Sequence, residues 1–228
     1  MPKNKLKKFA ELNSFSNVLQ PQNIHTGINP FQFKGKWGES FFCNTNPIVL
    51  EIGCGKGEYT VGLGKAFPNK NFIGIDIKGD RIWNGAREAL EQGLHNIAFL
   101  RTQAEHINSY FDKDEISEIW ITFPDPQEKK IRAKKRLTSP LFLDRYRKIL
   151  KPRCPIHLKT DNVSLFNYTL SIIRDEKHYL LESTDNLYAD AQINEPLLKE
   201  IQTFYEKRFL AQGKSIHYIK FSLHEGSS

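Results

Sequence analysis

Three groups of residues in this chain carry chemistry by their type and spacing: clustered glycines, acids at the ends of apolar runs, and a block of cations. The glycines lie in Glu51-Ile52-Gly53-Cys54-Gly55-Lys56-Gly57, directly after the apolar run that begins at Ile48. A glycine-rich turn between a strand and a helix lets a ligand approach the backbone and the first amides of the helix, which is how nucleotide-type ligands are held. The spacing is G-x-G-x-G, with Glu58 where the dinucleotide fingerprint puts its third glycine, and this disfavours a nicotinamide cofactor. Asp76 ends the next apolar run, where a carboxylate accepts from ribose hydroxyls or else caps the helix that follows. Glu51 sits inside Ile48-Val49-Leu50-Glu51-Ile52. A carboxylate there is expensive to bury unless a cation or hydrogen-bond donors meet it, and the alternative is an exposed strand position.

A second constellation is Phe123-Pro124-Asp125-Pro126. Its prolines bias Phe123 and Asp125 toward extended backbone and leave the Asp125 carboxylate little conformational freedom. Just downstream come Lys129, Lys130, Arg132, Lys134, Lys135 and Arg136, six cations against Glu128 alone. The first twelve residues add Lys3, Lys5, Lys7 and Lys8 against Glu11, within a formal net charge of +7. Clustered positive charge is the electrostatic footprint of phosphate-backbone binding, and a solvated surface is the competing reading. Asp161 closes another apolar run beside Asn162, as a site acid or a helix cap. Thr203 and Glu206, three apart, share one helical face.

Metal and disulfide chemistry find no support. The seven histidines show no ligand spacing, and Cys43, Cys54 and Cys154 lie far apart without a CxxC pair. Reduced thiols of a cytoplasmic protein are the expectation. No apolar run approaches the roughly 20 residues that cross a bilayer, and the lysine-rich start lacks the apolar core of a secretory leader.

The elements that must position these residues follow from hydrophobic period. Short β-branched or aromatic runs predict strands at 48–52, 71–76, 97–101, 116–123, 155–160 and 179–184, alternating with helical segments. Ile82, Ala86, Ala89 and Leu90 mark one helix, ended by Gly93. Ser139 and Pro140 open another with Phe142, Tyr146, Ile149 and Leu150 as its stripe, stopped by Pro152. A third runs from Val163 with Asn162 as cap, a fourth from Pro196 to about Ala211, and Ile216 to Leu223 reads as a final strand. The fold class is therefore α/β, one doubly wound, mostly parallel sheet; pattern alone leaves the last strand's direction open, and antiparallel is the expectation. Residues 1–46, rich in Asn, Gln, Lys and Phe with little periodicity, read as a flexible extension before a single domain over 47–228.

Taken together these residues resemble the bacterial tRNA (guanine-N7-)-methyltransferase family over about 43–223. The specific elements are Glu51-Ile-Gly53-x-Gly55-x-Gly57, Gly74-Ile75-Asp76, Phe123-Pro124-Asp125-Pro126 followed by Lys129, Thr160-Asp161, and Thr203-Phe204-Tyr205-Glu206. The resemblance implies a Rossmann-like fold and methyl transfer from S-adenosylmethionine to a guanine in the tRNA variable loop, at tRNA position 46. It implies that Glu51, Gly53, Gly55, Asp76, Gln103, Ala104 and Asp125 line the S-adenosylmethionine pocket, with Asp125 catalytic. It assigns Lys129, Asp161, Thr203, Phe204, Tyr205 and Glu206 to the substrate, and Arg132, Lys134, Lys135 and Arg136 to RNA. Partners beyond tRNA are not implied, and the chain is expected as a monomer or homodimer. Two positions depart from the family's frequent pattern: Gln127 stands where an aromatic often follows Pro126, and Gln103 where Asp or Asn is common. The rival readings are a methyltransferase acting on protein or a small molecule, and a non-catalytic RNA-binding protein.

Overall fold

The structure, a computed structural model, describes residues 3–21, 31–193 and 195–224. In chain order its elements are α1 (Lys3–Leu12), β1 (Val18–Leu19), β2 (Ile48–Ile52), α2 (Glu58–Ala66), β3 (Asn71–Asp76), α3 (Gly79–Glu91), β4 (Ile97–Arg101), β5 (Ile116–Thr122), α4 (Pro140–Arg147), β6 (Pro155–Thr160), α5 (Val163–Asp175), β7 (Tyr179–Thr184), α6 (Pro196–Glu200), α7 (Phe204–Ala211) and β8 (His217–Ser222). The strands form one sheet in the order β1-β4-β3-β2-β5-β6-β8-β7. Every pairing from β1 through β6 is parallel, and β8 runs antiparallel to both β6 and β7.

Parallel strands are covered on both faces, so their side chains alternate between two cores. Leu50, Ile52, Ile73, Ile75, Ile119 and Ile121 pack on one face with Phe142 and Tyr146 of α4 and with Leu165, Phe166 and Ile173 of α5. Val49, Phe72, Phe99 and Trp120 pack on the other with residues of α2 and α3. The sheet order reverses between β2 and β5, and the carboxyl ends of the strands around that switch point are where doubly wound folds bind ligands.

The six predicted strands and the final antiparallel strand are present, and Asn162 caps α5 by accepting from the Leu165 amide at 2.8 Å. Gly93 takes the expected left-handed conformation at φ 65°, although Leu90 lies outside the buried stripe at 40% exposure. Other expectations need correction. α4 ends at Arg147, and Ser139 does not cap it; its hydroxyl donates instead to the Lys134 carbonyl at 3.0 Å. The single helix expected from Pro196 to Ala211 is two. Ile201 adopts extended backbone, and Thr203 starts a new helix by accepting from the Glu206 amide at 3.1 Å.

Where the sequence pattern suggests a flexible extension over 1–46, the described residues pack. α1 lies on α3, with Leu12 buried and Trp83 Nε1 donating to Glu11 Oε2 at 2.7 Å. β1 adds to β4. Trp37 has no exposed surface, stacks on Phe111 at 5.5 Å and donates to the Tyr110 carbonyl at 2.9 Å. Glu115 fastens this segment by accepting from the Gly35 and Trp37 amides at 2.9 and 3.0 Å. These contacts join residues some eighty positions apart, so no local period announces them.

Candidate active site

The glycine turn follows β2 at the switch point. Gly53, Gly55 and Gly57 have φ of 77°, 56° and 77°, a region closed to most side chains. The Gly53 and Cys54 amides donate to the Ile75 carbonyl at 2.8 and 2.9 Å, tying the turn to β3. The three glycines do different jobs. A Cβ on Gly55 meets nothing within 4 Å, so that residue faces open space in the cleft. A Cβ on Gly57 falls 2.7 Å from the Phe99 ring and 3.2 Å from the Gly85 Cα, so that residue is a packing glycine.

Asp76 borders the turn from the end of β3. Its Oδ2 accepts from the Gly55 amide at 3.0 Å and its Oδ1 from the Lys78 amide at 2.7 Å at the start of α3, so it acts as a cap-like residue while also fastening the glycine turn. Burial raises its pKa above the ordinary carboxylate value, against those two bonds. Gln103 and Ala104 open a short 3₁₀ turn after β4, the strand beside β3.

Glu51 is buried at 3% exposure, which rules out the exposed strand position. Its Oε2 accepts from the amide of Thr60, at 2.8 Å, and from the same residue's hydroxyl. Its Oε1 accepts from the Thr122 hydroxyl at 2.6 Å. These donors are neutral, and burial outweighs them: the carboxyl is pushed up to about 7. The site thus holds a half-ionised acid near neutral pH, whose charged form a cationic ligand atom would favour. Neither threonine is distinguishable in the sequence; each is simply the polar residue that topology sets against Glu51. The Cys54 thiol, also buried, is pushed up by desolvation and by Glu51, which keeps it protonated and unreactive.

Asp125 lies across the switch point, after β5. Phe123 leaves the sheet with its amide donating to the Lys159 carbonyl at 2.8 Å and with φ of 48°; Gln127 has φ of 46°. The proline-imposed extended conformation expected at Phe123 is therefore replaced by a left-handed one. That anchor fixes the chain where it must turn out of the sheet, and a bulky residue there stores about 1–3 kcal/mol of strain. Asp125 itself is exposed, and its Oδ1 accepts from the Gln127 amide at 3.0 Å, fixing the loop's outward corner.

The basic stretch forms a 3₁₀ turn over Lys130–Lys135 with no buried residue. Lys129, Arg132, Lys134 and Lys135 are exposed. Arg136 differs: its Nε donates to the Pro126 carbonyl at 3.1 Å, its Nη2 to the Gln127 carbonyl at 3.3 Å, and its guanidinium lies 4.3 Å from the centre of the Tyr168 ring. It braces the Asp125 loop.

Gly53, Gly55, Thr122, Phe123, Thr203 and Phe204 meet around one cleft. Phe204 and Tyr205 stand half exposed on the first turn of α7. The Phe204 amide donates to Glu58 Oε1 at 3.2 Å, and Lys56 Nζ lies 4.0 Å from the centre of the Phe204 ring. Lys56 and Glu58 were not singled out in the sequence as site residues; they border the cleft because they flank the last glycine. Asp161 is bound by Lys214 at 2.6 Å, and Glu206 is buried against Lys159 at 2.7 Å. Among the described residues no group of three His, Cys, Asp or Glu could hold a metal ion, and no helix is long and apolar enough to cross a membrane.

A methyltransferase family model matches residues 45–219. A tRNA (guanine-N(7)-)-methyltransferase of Christiangramia forsetii is 53% identical over 224 residues, covering 97% of this chain and 98% of that one. Its counterpart in Bacteroides thetaiotaomicron is 51% identical, covering 98% of this chain and 87% of the relative. Among solved structures, the 16S rRNA methyltransferase KamB superposes with a TM-score of 0.64 at 12% identity, over 87% of this chain and 98% of that one, a likeness of fold. The chain belongs to the tRNA (guanine-N(7)-)-methyltransferase family.

Proposed function

We propose that this chain methylates N7 of a guanine in the variable loop of tRNA, at position 46, with S-adenosylmethionine as donor. The observation that supports the reading is the meeting, in one cleft, of the glycine turn with Thr122 and Phe123, the residues from which the Asp125 loop and its exposed cations continue. Residues of the turn fit the donor. Gly55 leaves open the space a side chain would fill, Asp76 borders the turn and would accept from ribose hydroxyls, and Glu51 is a buried acid with no salt-bridge partner among the described residues. The donor supplies an electrophilic methyl group on a positively charged sulfur.

Guanine N7 presents a lone pair and no proton, so the chain needs no strong general base for this acceptor. Positioning dominates, and holding the reacting atoms in line contributes about 7–11 kcal/mol. The purine becomes cationic as N7 is alkylated, and Asp125, the carboxylate that the resemblance makes catalytic, would stabilise that charge. Phe204 and Tyr205 offer flat apolar surfaces at the mouth of the cleft for the base. Lys129, Arg132, Lys134 and Lys135 hold phosphates and set register without reading sequence. Asp161, which the resemblance assigns to the substrate, would accept from the guanine edge, its carboxylate shared with Lys214. The protein works in the cytoplasm, where its three free cysteines stay reduced.

The test is to incubate the protein with labelled donor and tRNA lacking modifications, then map modified nucleosides. One 7-methylguanosine in the variable loop is the expected product. Label in protein or small molecules alone, or a methyl group on another base, would overturn the reading.

A further inference from the structure

The resemblance assigns Glu206 to the substrate, yet the structure gives it a different set of partners. Its Oε1 lies 2.7 Å from Lys159 Nζ and accepts from the Tyr188 hydroxyl at 3.0 Å. Neither Glu206 nor Lys159 has exposed side-chain surface. The Lys159 ammonium also donates to the Leu198 carbonyl of α6 at 2.7 Å, and Gln202 donates to the Tyr188 hydroxyl at 2.9 Å. Desolvation pushes the Lys159 ammonium down and the Glu206 carboxyl up, and each partner opposes the other's shift. Such a pair is costly to build and far costlier to break on one side only. Glu206 Oε2 has no hydrogen-bond partner among the described residues and no contact with solvent, so a base edge reaches it only if α7 moves.

This network ties together β6, the end of α6, the loop after β7 and the first turn of α7. That turn carries Thr203, Phe204 and Tyr205, all of which border the cleft. We infer that Glu206 is a positioning residue: through Lys159 it clamps the α6–α7 elbow and sets Phe204 and Tyr205 over the glycine turn, and it does not read the guanine edge. The inference rests on methylation of guanine as the activity.

Its test is a double-mutant cycle with Lys159→Met, Glu206→Leu and their combination, plus Glu206→Gln. Melting temperature, tRNA affinity and kcat/KM are read on tRNA carrying guanine or inosine at the target; inosine lacks the exocyclic amine. Either apolar single substitution is expected to lower Tm and kcat/KM. The combination, with no buried charge left unpaired, is expected to recover Tm and to come within about threefold of the original kcat/KM, the non-additivity of a contacting pair. The guanine-to-inosine ratio is expected to stay constant in every variant that folds. Glu206→Gln keeps hydrogen-bonding capacity toward Lys159 and Tyr188, so it decides the ratio if the others do not fold. A ratio falling toward one in Glu206→Gln or in the combination would overturn the inference, because loss of a direct contact relaxes discrimination. If the unaltered chain methylates no guanine, the functional reading fails, while the Tm cycle still reports whether Lys159 and Glu206 act as a pair.

Discussion

The glycine turn and the Asp125 loop, which leave neighbouring strands, are built on opposite plans. On the glycine-turn side, polar groups are buried or half-buried and satisfied by neutral donors: Glu51 by Thr60 and Thr122, Asp76 by backbone amides. On the Asp125 side, the carboxylate is exposed and its loop is held by two left-handed residues and the Arg136 guanidinium. A small ligand can be enclosed by a site fixed before it arrives, whereas a large polyanion needs an open face with mobile charge. The cost of preorganisation is thus carried in burial on one side and in backbone strain on the other.

The largest effect expected from that contrast is at Asp125. Asp125→Ala should lower kcat by about 10²–10³, the usual scale for losing one preorganised electrostatic group, while tRNA affinity measured by titration stays near its original value. Near-normal turnover would remove Asp125 from the chemistry and erase the contrast.

A smaller effect is expected at Glu51. Its folded-state pKa of about 7 lies above the ordinary 4.5, so the folded chain holds this proton more tightly than the unfolded one. Stability therefore falls as pH rises from about 4.5 through 7, by on the order of 3 kcal/mol from this group. Ionisation over the same upper range should strengthen binding of a cationic donor. In Glu51→Gln, chemical denaturation across pH should show this slope flattened, and calorimetry should show donor affinity no longer rising through pH 7. An unchanged pH profile in both would mean that Glu51 does not titrate there.

The smallest effect separates Arg136 from its neighbours. Replacing Arg132, Lys134 and Lys135 with Ala should reduce the slope of log affinity against log salt by roughly 0.7–0.9 for each phosphate that is no longer neutralised. Arg136→Lys keeps the charge but loses the planar fork, so it should lower kcat and leave that slope alone. A changed slope in Arg136→Lys would place that residue on the RNA with the others.

The strands were legible because each is a dense apolar or β-branched run, and the final strand's reversal was expected although period alone leaves direction open. The elbow at 201–203 was not legible, because Thr203 looks like any helix-face polar residue until its hydroxyl is seen capping α7. Of the site, the glycines and Asp76 could be read because a turn of this kind admits few residue types. Arg136 could not be separated from Lys134 and Lys135, since composition registers charge and not what a guanidinium reaches. Phe123 was misjudged because the rule for residues before proline is local, and a bond to the Lys159 carbonyl overrides it.

Gly57 and Gly85 meet with no side chain between them, Gly85 itself having a would-be Cβ 2.7 Å from the Lys56 carbonyl. The glycine turn is thereby seated bare backbone on bare backbone against α3, with no compressible atoms to absorb a shift. Since α1 rests on that same helix through Glu11 and Trp83, the opening turns of the polypeptide are mechanically a single rigid step from the glycine turn, although no local sequence period links the two.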